Sequence, residues 1–202
     1  MGCLEFSWNR AWINLDLQSP NGLFNRLITA YDEPHRRYHS VQHLKECIAH
    51  FSDVLDLAFH PGEVEIALWF HDAIYDPRNK DNERRSAEWA DQALHQAGAT
   101  SEIQQRVHDL IIATCHQTLP SEPDQQLLTD IDLAILGSPP ARFREYDQQI
   151  KSEYSWMPGF LYRMKRKNVL RGFLARKYIY STNHFKKYYE QRARANLRAA
   201  SS

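Results

Sequence analysis

The sequence predicts an all-α protein, folded as one helical bundle. Apolar residues recur at helical spacing along almost the whole chain, and proline and glycine fall between the periodic segments. We find no alternating strand pattern bounded by hairpin turns. The 202 residues are 43% hydrophobic and 25% charged, which is typical of a globular domain with its own core. We therefore expect a single domain over residues 1–202.

The helices are placed by the stretches of helical periodicity and by the breaks between them. The predicted helices cover residues 5–14, 21–31, 38–58, 62–75, 82–97, 101–117, 124–137, 139–156, 159–180 and 183–198. The breaks carry Pro34, Pro61, Gly62, Pro77, Gly98, Pro120, Pro123, Gly137, Pro139, Pro140, Pro158 and Gly159. Ser101 stands three residues before Gln104, the spacing of a capping box, and this predicts a helix start.

The 38–58 helix carries two histidines four residues apart. His39 and His43 therefore lie on one face, about one turn from each other. His43 is at the edge of the apolar stripe, one turn before Cys47, and can face the interior. His39 lies further toward the N-terminal end and more to the outside.

The 62–75 helix contains the segment EIALWFHDAIYDP and is apolar on nearly every side, which predicts a central, buried helix. Leu68, His71 and Tyr75 share one face of it. Asp72 follows His71 directly, in the middle of this apolar segment. An unpaired charge at a buried position is costly, so the doublet must find a partner, a proton or a metal ion.

The 124–137 helix supplies a further acidic side chain. Asp132 shares a stripe with Leu128 and Ile135, so it points where an aliphatic side chain would be expected. Asp130 either faces the same side or caps the first turn of the helix, and we favour Asp132 as the inward-facing acid.

The set His43, His71, Asp72 and Asp132 combines two imidazoles and two carboxylates from three helices. This donor set suits a borderline-to-hard divalent ion and does not choose among Mn, Fe, Co, Ni, Zn and Mg. The three cysteines are few and widely spaced, which predicts reduced thiols rather than a disulfide framework or a thiolate metal site.

Charge is distributed unevenly along the chain. From residue 159 to the end, twelve Lys and Arg residues accompany a single acid, Glu190. Since the whole chain is neutral, the first 158 residues carry a net charge of −11. The basic segment either supplies a field for an anionic substrate or nucleic acid, or docks against the acidic part of the chain. We favour docking.

The compartment is predicted from what the sequence contains. No apolar run reaches the length of a membrane span. The N-terminal MGCLEFSWNRAWINLD is interrupted by charged residues and does not resemble a secretory signal. We therefore expect a cytoplasmic protein without a membrane partner.

The order His43, His71-Asp72 and Asp132 resembles the HD superfamily of metal-dependent phosphohydrolases, whose pattern is a His, a His-Asp doublet and a distant Asp on a helical bundle. The segments EPHRRYHSVQHL, WFHDAIYDPRNKDNERRSA and DIDLAILG are similar to small stand-alone bacterial proteins described only as predicted HD-type phosphohydrolases. The motif core spans residues 31–137. The resemblance implies an HD-type bundle on which the basic helices, 159–198, pack.

The segment RYHSVQH is also similar to the cyclic nucleotide phosphodiesterase branch, where Tyr-His-Asn-x-x-His supplies a general acid and then a metal ligand. This implies that His39 is the proton donor and His43 a ligand, with Asp72 serving both metal binding and catalysis. Ser40 stands where that branch has Asn. Leu133 stands where nucleotide triphosphatase branches often have Lys. These departures leave the substrate open.

The activity implied by the resemblance is metal-dependent hydrolysis, by activated water, of a phosphomonoester or phosphodiester in a small substrate such as a nucleotide. The candidates for binding its phosphate are Arg36, Arg37, Lys80 and His116. Plain solvation is the alternative for the exposed cations. His116 also suits a second metal ion, or the C-terminal turn of a helix, where the dipole favours it.

Two other functions are compatible with the same residues. A di-iron oxygenase of the HD type would need extra ligands, for which His116 and Asp130 are candidates. A non-catalytic nucleotide sensor would use the ion only to anchor a phosphate. In each case the expected partner is a small molecule rather than nucleic acid or a membrane, and a homodimer is compatible with the sequence.

Overall fold

The computed structural model describes residues 2–116 and 118–201, and within these ranges it is all-α, without a strand. The prediction of an all-α bundle is confirmed. The helices are Cys3–Asn14 (α1), Leu23–Tyr31 (α2), Val41–Asp53 (α3), Pro61–Phe70 (α4), Asn82–Gln96 (α5), Ser101–Ala113 (α6), Pro123–Asp132 (α7), Pro140–Glu153 (α8), Gly159–Ala175 (α9), Asn183–Tyr188 (α10) and Glu190–Ser201 (α11). Short 3₁₀ helices cover Leu55–Leu57 and Leu133–Gly137.

Helix α4 is central in the bundle, as its sequence predicts. All its residues from 62 to 70 are buried, and it packs against α1, α3, α5, α6 and α7. Its two acidic side chains are paired. Glu65 accepts hydrogen bonds from Ser7 Oγ at 2.6 Å and Arg10 Nε at 2.9 Å, and Arg106 donates two bonds of 2.7 Å to Glu63. These ion pairs and hydrogen bonds offset the desolvation cost of burying the two carboxylates.

The 62–75 helix is shorter than predicted because α4 ends at Phe70, so the His71-Asp72 doublet lies in the turn that follows. The Asp72 amide donates to the Tyr31 hydroxyl at 3.3 Å and does not continue the helix, and the buried guanidinium of Arg36 binds the turn that follows. The guanidinium donates hydrogen bonds to the carbonyl oxygens of Asp72 at 2.5 Å and of Ala73 at 2.9 Å. These bonds satisfy the main chain of the turn without further helix.

The 38–58 helix also begins later than predicted. Ser40 is the N-cap of α3, and its hydroxyl accepts a hydrogen bond from the Gln42 amide at 3.3 Å. This is the ordinary role of serine at a helix start. As a result, His43 is on the first turn of α3, whereas His39 is in the loop before it.

Several other predicted boundaries move for similar local reasons. The capping box predicted at Ser101 is wrong by one residue, because the N-cap is Thr100, whose hydroxyl accepts a hydrogen bond from the Ile103 amide at 3.4 Å. The predicted 124–137 helix becomes α7 followed by a 3₁₀ helix, and the predicted 183–198 helix is divided into α10 and α11. The predicted helix end at residue 117 lies outside the described residues.

The C-terminal helices join the same core as the rest of the bundle. One continuous cluster of buried apolar side chains extends from Leu4 to Leu197. Helix α11 packs against α9 and the 3₁₀ helix after α7, while α9 itself buries a single residue, Leu170. Among the described residues, no helix has the length and apolar character needed to cross a bilayer.

Candidate metal centre

The structure brings the four predicted metal ligands together between α3, the turn after α4, and the end of α7. His43 Nε2 lies 3.1 Å from His71 Nε2 and 3.1 Å from Asp132 Oδ1. Asp72 Oδ2 lies 3.1 Å from His71 Nε2 and 3.5 Å from His43 Nε2. Both histidine side chains are buried, whereas both carboxylates are 15% exposed. The four donor atoms thus converge on one point that is nearly closed to solvent.

These donor atoms fit a divalent metal ion. Atoms bound ~2.1 Å from one ion lie about 3 Å apart when they occupy neighbouring positions in its shell. The distances from each imidazole Nε2 to the other imidazole and to the two carboxylates, 3.1–3.7 Å, are close to that spacing. Two neutral imidazoles and two carboxylates are ligands for the borderline-to-hard ions predicted from the sequence. The residues therefore can hold such an ion.

The ring orientation of His71 is fixed from behind. Its Nδ1 lies 2.8 Å from the carbonyl oxygen of Leu68, one turn earlier. Because a carbonyl only accepts, Nδ1 carries the proton and Nε2 is presented to the cluster, the arrangement usual for metal-binding histidines. Although burial opposes the charged ring, the carboxylates of Asp72 and Asp132 raise the pKa of His71 to about 9. The site therefore attracts positive charge.

Cys47 adds a third type of donor at this site, after imidazole and carboxylate. Its Sγ belongs to a group with His43, His71 and Asp132 whose donor atoms all lie within 4.8 Å of one another. The sequence predicts reduced thiols rather than a thiolate metal site, and the cysteines are free, but the thiol of Cys47 lies beside the candidate donors. The sulfur is 3.7 Å from both ring nitrogens of His43, so it lies beside the ring and not along either lone pair. Burial raises the pKa of Cys47 well above its usual value, which disfavours the thiolate.

Asp132 is held by a residue that is not one of its co-ligands. Its second oxygen, Oδ2, lies 2.7 Å from His116 Nε2. The backbone of His116 has φ +53°, a left-handed conformation that residues other than glycine adopt uncommonly. Arg176 Nη2 donates a 3.2 Å hydrogen bond to the His116 carbonyl and helps to hold it there. His116 thus positions the Asp132 carboxylate at one side of the cluster.

The structure separates Asp130 from the cluster. Its carboxylate accepts bonds of 2.7 Å from the amides of Ser181 and Thr182 and from the Thr182 hydroxyl. Asp130 therefore anchors the start of α10. Asp132 is therefore the acid of α7 that lies in the metal-binding cluster. The oxygenase hypothesis loses Asp130, one of its two candidate extra ligands.

A cavity of about 510 Å³, the front cavity, opens over the cluster. Asp72 and Asp132 lie in its floor beside His39 and His116. Polar and aromatic side chains form the walls: Asn79, Lys80, Asn82, Glu83, Thr114, Cys115, Tyr38, Tyr75, Tyr146, Tyr154 and Phe173. The cavity can take a small molecule with a polar end at the cluster and a ring against the aromatic wall.

His39 lines the front cavity next to the cluster and is held by Glu153. Its ring stacks on Tyr75 at a centroid distance of 4.1 Å and lies 6.0 Å from the ring of His43. Its Nδ1 is 2.8 Å from Glu153 Oε2. Burial lowers the pKa of His39, but the charges of Asp72 and Glu153 outweigh this effect and raise it above its ordinary value.

Glu153, at the end of α8, is the residue that organises this side of the cavity. One of its oxygens accepts hydrogen bonds from the amides of Arg37, Tyr38 and His39, at 2.8–3.0 Å. The other also accepts a 2.8 Å bond from the hydroxyl of Tyr75. Burial raises the pKa of Glu153, but the charge and hydrogen bond of His39 and the backbone amides lower it to about 2.

The other predicted phosphate-binding residues are divided among different places. Lys80 and His116 line the front cavity. Arg36 is 4% exposed, and its guanidinium is committed to the Glu33 carboxylate and to main-chain carbonyls, so it holds the turn after α4. Arg37 lines a separate surface cavity with His35, on the far side of Glu153.

Three residues of the site are not among the sequence predictions: Cys47, Tyr75 and Glu153. The sequence could have indicated that Cys47 lies at the site, since Cys47 is one turn after His43 on the same helix face. No such indication separates Tyr75 and Glu153 from other aromatic and acidic residues. Their roles come from contacts across 78 and 114 residues of chain.

We expect Glu153→Gln to destabilise the fold by about 3 kcal/mol at pH 7, since the pKa of Glu153 falls from 4.5 to about 2 on folding. A lowered carboxyl pKa contributes stability that is fully present above pH 4.5 and is lost as the pH falls toward 2. The difference from wild type should therefore narrow as the pH is lowered from 7 to 4. Urea unfolding measures it.

Glu145→Gln is the matched control, because Glu145 is on the same helix and its side chain is 51% exposed. We expect this change to cost less than about 0.5 kcal/mol at either pH. A Glu153→Gln difference that stays constant from pH 7 to pH 4 would contradict the assigned pKa of Glu153.

Comparison with known proteins finds no matching family model, no matching curated protein and no matching solved structure. The class of site therefore rests on the chain itself. The chain is a helical bundle with a buried cluster of His43, Cys47, His71 and Asp132 that could bind a metal ion. Asp72 is in contact with both histidines of this cluster.

Proposed function

We propose that the chain is a metal-dependent phosphohydrolase of the HD type, cleaving a phosphomonoester or phosphodiester bond in a small substrate such as a nucleotide. One observation carries the proposal. His43, His71, Asp72 and Asp132 converge in one cluster, and its two carboxylates lie at the floor of a cavity large enough for such a substrate. An imidazole outside the donor set, that of His39, lines the same cavity. The order of these residues along the chain supports the HD assignment.

The metal site has a defined part in this chemistry. When bound by His43, His71, Asp72 and Asp132, a divalent ion supplies Lewis-acid activation of water and neutralises charge on a phosphoryl oxygen. The two carboxylates would contribute the negative charge that retains such an ion, and the Leu68 carbonyl keeps Nε2 of His71 directed into the cluster.

His39 is the proposed general acid. Glu153 is ionised at neutral pH and only accepts, so His39 Nδ1 carries a proton and Nε2 is the atom available to the cavity. A raised pKa keeps the ring protonated closer to neutral pH, so Nε2–H can donate to the leaving oxygen of a phosphoester. Stacking on Tyr75 fixes the plane of the ring.

The walls of the front cavity favour a compact substrate. Lys80 is the cation among the lining residues apart from histidine, whereas a polyphosphate requires several cationic partners. Tyr146, Tyr154 and Phe173 offer aromatic faces for a ring such as a base. This composition favours a substrate with a single phosphoryl group near the cluster rather than a triphosphate.

The direct test is a phosphoester screen on protein purified without added ions, after its metal content has been measured. Each candidate ion is then added separately. The proposal is supported by turnover that requires one of these ions. A folded, metal-loaded protein without turnover on any phosphomonoester or phosphodiester would favour the sensor, and two irons per chain with visible absorption would favour the oxygenase.

We expect His39→Gln to reduce kcat about 10²–10⁴-fold on substrates with an alkoxide leaving group, because the protonated imidazole is no longer available. On p-nitrophenyl esters the loss should be less than about tenfold, since nitrophenolate leaves without protonation. The measurement is kcat on both substrate types, with metal content determined in parallel.

His95→Gln is the control for this change, because His95 is exposed on α5 and outside the cavity. It should leave kcat unchanged on both substrate types. Equal losses on the two leaving groups in His39→Gln would contradict proton donation by His39, and loss of the metal ion would place His39 among the ligands.

A further inference from the structure

A second cavity, the rear cavity, lies on the other side of the metal-binding cluster and is not used by the proposed reaction. Its volume is about 200 Å³, and it is enclosed by α3, α7, the start of α8 and the region where α10 meets α11. It has Tyr38, Asp132 and Ile135 in common with the front cavity, whereas His43 and Cys47 line only the rear cavity. A molecule bound in the rear cavity would therefore contact residues of the metal-binding cluster.

Two polar side chains of the rear cavity lack a partner. Tyr38 is 4% exposed, and its hydroxyl makes no hydrogen bond within the described residues. The hydroxyl of Ser138 is likewise buried and without a partner. A buried hydroxyl without a hydrogen bond costs about 1–3 kcal/mol, so two of them in one cavity indicate a ligand with acceptor atoms.

The charged groups of the rear cavity favour an anion. Its carboxylates are already paired: Arg142 binds Glu46 through Nε at 2.6 Å and Nη2 at 2.9 Å, and Asp132 is in contact with His43 and His116. Arg192 is different. Its Nε donates to the carbonyl of Gly137, while its Nη groups have no hydrogen bond among the described residues.

The backbone adds to this preference. Helix α8 has 14 residues and begins at Pro140, directly after Ser138 and Pro139, which line the cavity. Because Pro139 and Pro140 carry no N–H, the free donors of this first turn are the amides of Ala141 and Arg142, at the positive end of the helix dipole. Anions bind readily at such a position when side-chain donors are also present.

We infer that the rear cavity is a binding site for a small tetrahedral oxyanion of the phosphate class, held by the hydroxyls of Tyr38 and Ser138 and by the guanidinium of Arg192. The two hydroxyls and the guanidinium of Arg192, an exposed residue that also lies 5.7 Å from the centre of the Tyr189 ring, match the acceptor oxygens and charge of such an ion. The rear cavity is too small to hold the nucleoside part of a nucleotide as well as its phosphate. This site is distinct from the front cavity, where the proposed substrate binds.

The test is calorimetric titration of inorganic phosphate into metal-loaded protein, with sodium chloride adjusted to keep the ionic strength constant. We expect Arg192→Gln to weaken phosphate binding at least about tenfold, since a charge-assisted bond is lost. Ser138→Ala removes a single hydroxyl and should weaken binding severalfold. Circular dichroism melts establish whether both variants are folded. If Arg192→Gln does not fold, the phosphate affinity of Ser138→Ala alone decides the test.

Lys80→Gln is the control for the front cavity and should leave the rear-site affinity within about twofold. Two results would overturn the inference: wild type that binds no phosphate in the millimolar range, or binding that is weakened by Lys80→Gln but by neither rear-cavity change. Because the readout is the heat of binding, the outcome is independent of whether the chain hydrolyses phosphoesters.

Discussion

Asp132→Asn is expected to remove the metal ion and to reduce phosphoester turnover by at least about a thousandfold. The neutral amide is a poor ligand, and both His43, at 3.1 Å, and His116, at 2.7 Å, lose the charge that they face. The side chain keeps its size, so the bundle should stay folded. The measurements are metal atoms per chain by mass spectrometry and kcat/KM on the best substrate of the screen.

Asp109→Asn is the matched control for the loss of one carboxylate. Asp109 is exposed on α6, where it accepts a hydrogen bond from Gln105 at 2.9 Å, and it does not line the front cavity. Metal content and turnover should match those of wild type. A full complement of metal in Asp132→Asn would show that Asp132 is not a ligand.

Chelation of the metal ion is expected to lower the melting temperature by roughly 10 °C. An ion present at about a thousand times its Kd stabilises the folded state by about 4 kcal/mol, and each kcal/mol shifts the melting temperature of a chain of this size by about 2–4 °C. The physical cause is the pair of carboxylates, Asp72 and Asp132, which are 15% exposed and lose their counter-charge when the ion leaves.

The experiment is a thermal melt by circular dichroism with and without EDTA, followed by addition of Mn²⁺ or Ni²⁺. Reloading should restore the original melting temperature. Asp132→Asn should not respond to EDTA, because it has no ion to lose. A wild-type melting temperature that EDTA leaves unchanged would contradict a resident metal ion.

Much of the helical architecture follows from local rules. The apolar spacing of residues 62–70 predicts a buried helix, and α4 is that helix at the centre of the bundle. Asp132 was distinguished from Asp130 by its place on the α7 stripe, and the structure places Asp132 in the cluster and Asp130 against Ser181. Stripe position is informative because packing follows the helix face.

The ends of the helices were harder to predict because tertiary contacts set them. The apolar pattern continues past Phe70, yet the helix stops there, because the Asp72 amide donates to the hydroxyl of Tyr31. Arg36, from a distant loop, then binds the main chain of the turn. His39 lies outside α3 for a related reason. Glu153 binds three successive amides of the loop before α3 and holds it in a non-helical conformation.

By itself the sequence determined the all-α class, the central helix and the residue types available for a metal site, since periodicity and side-chain chemistry are local properties. Only the tertiary structure decided which atoms meet. It joined His43 to His71 across 28 residues and His39 to Glu153 across 114, and it placed Cys47 at the cluster. Such contacts depend on how whole helices pack, and helix packing is not encoded in any short segment of the chain.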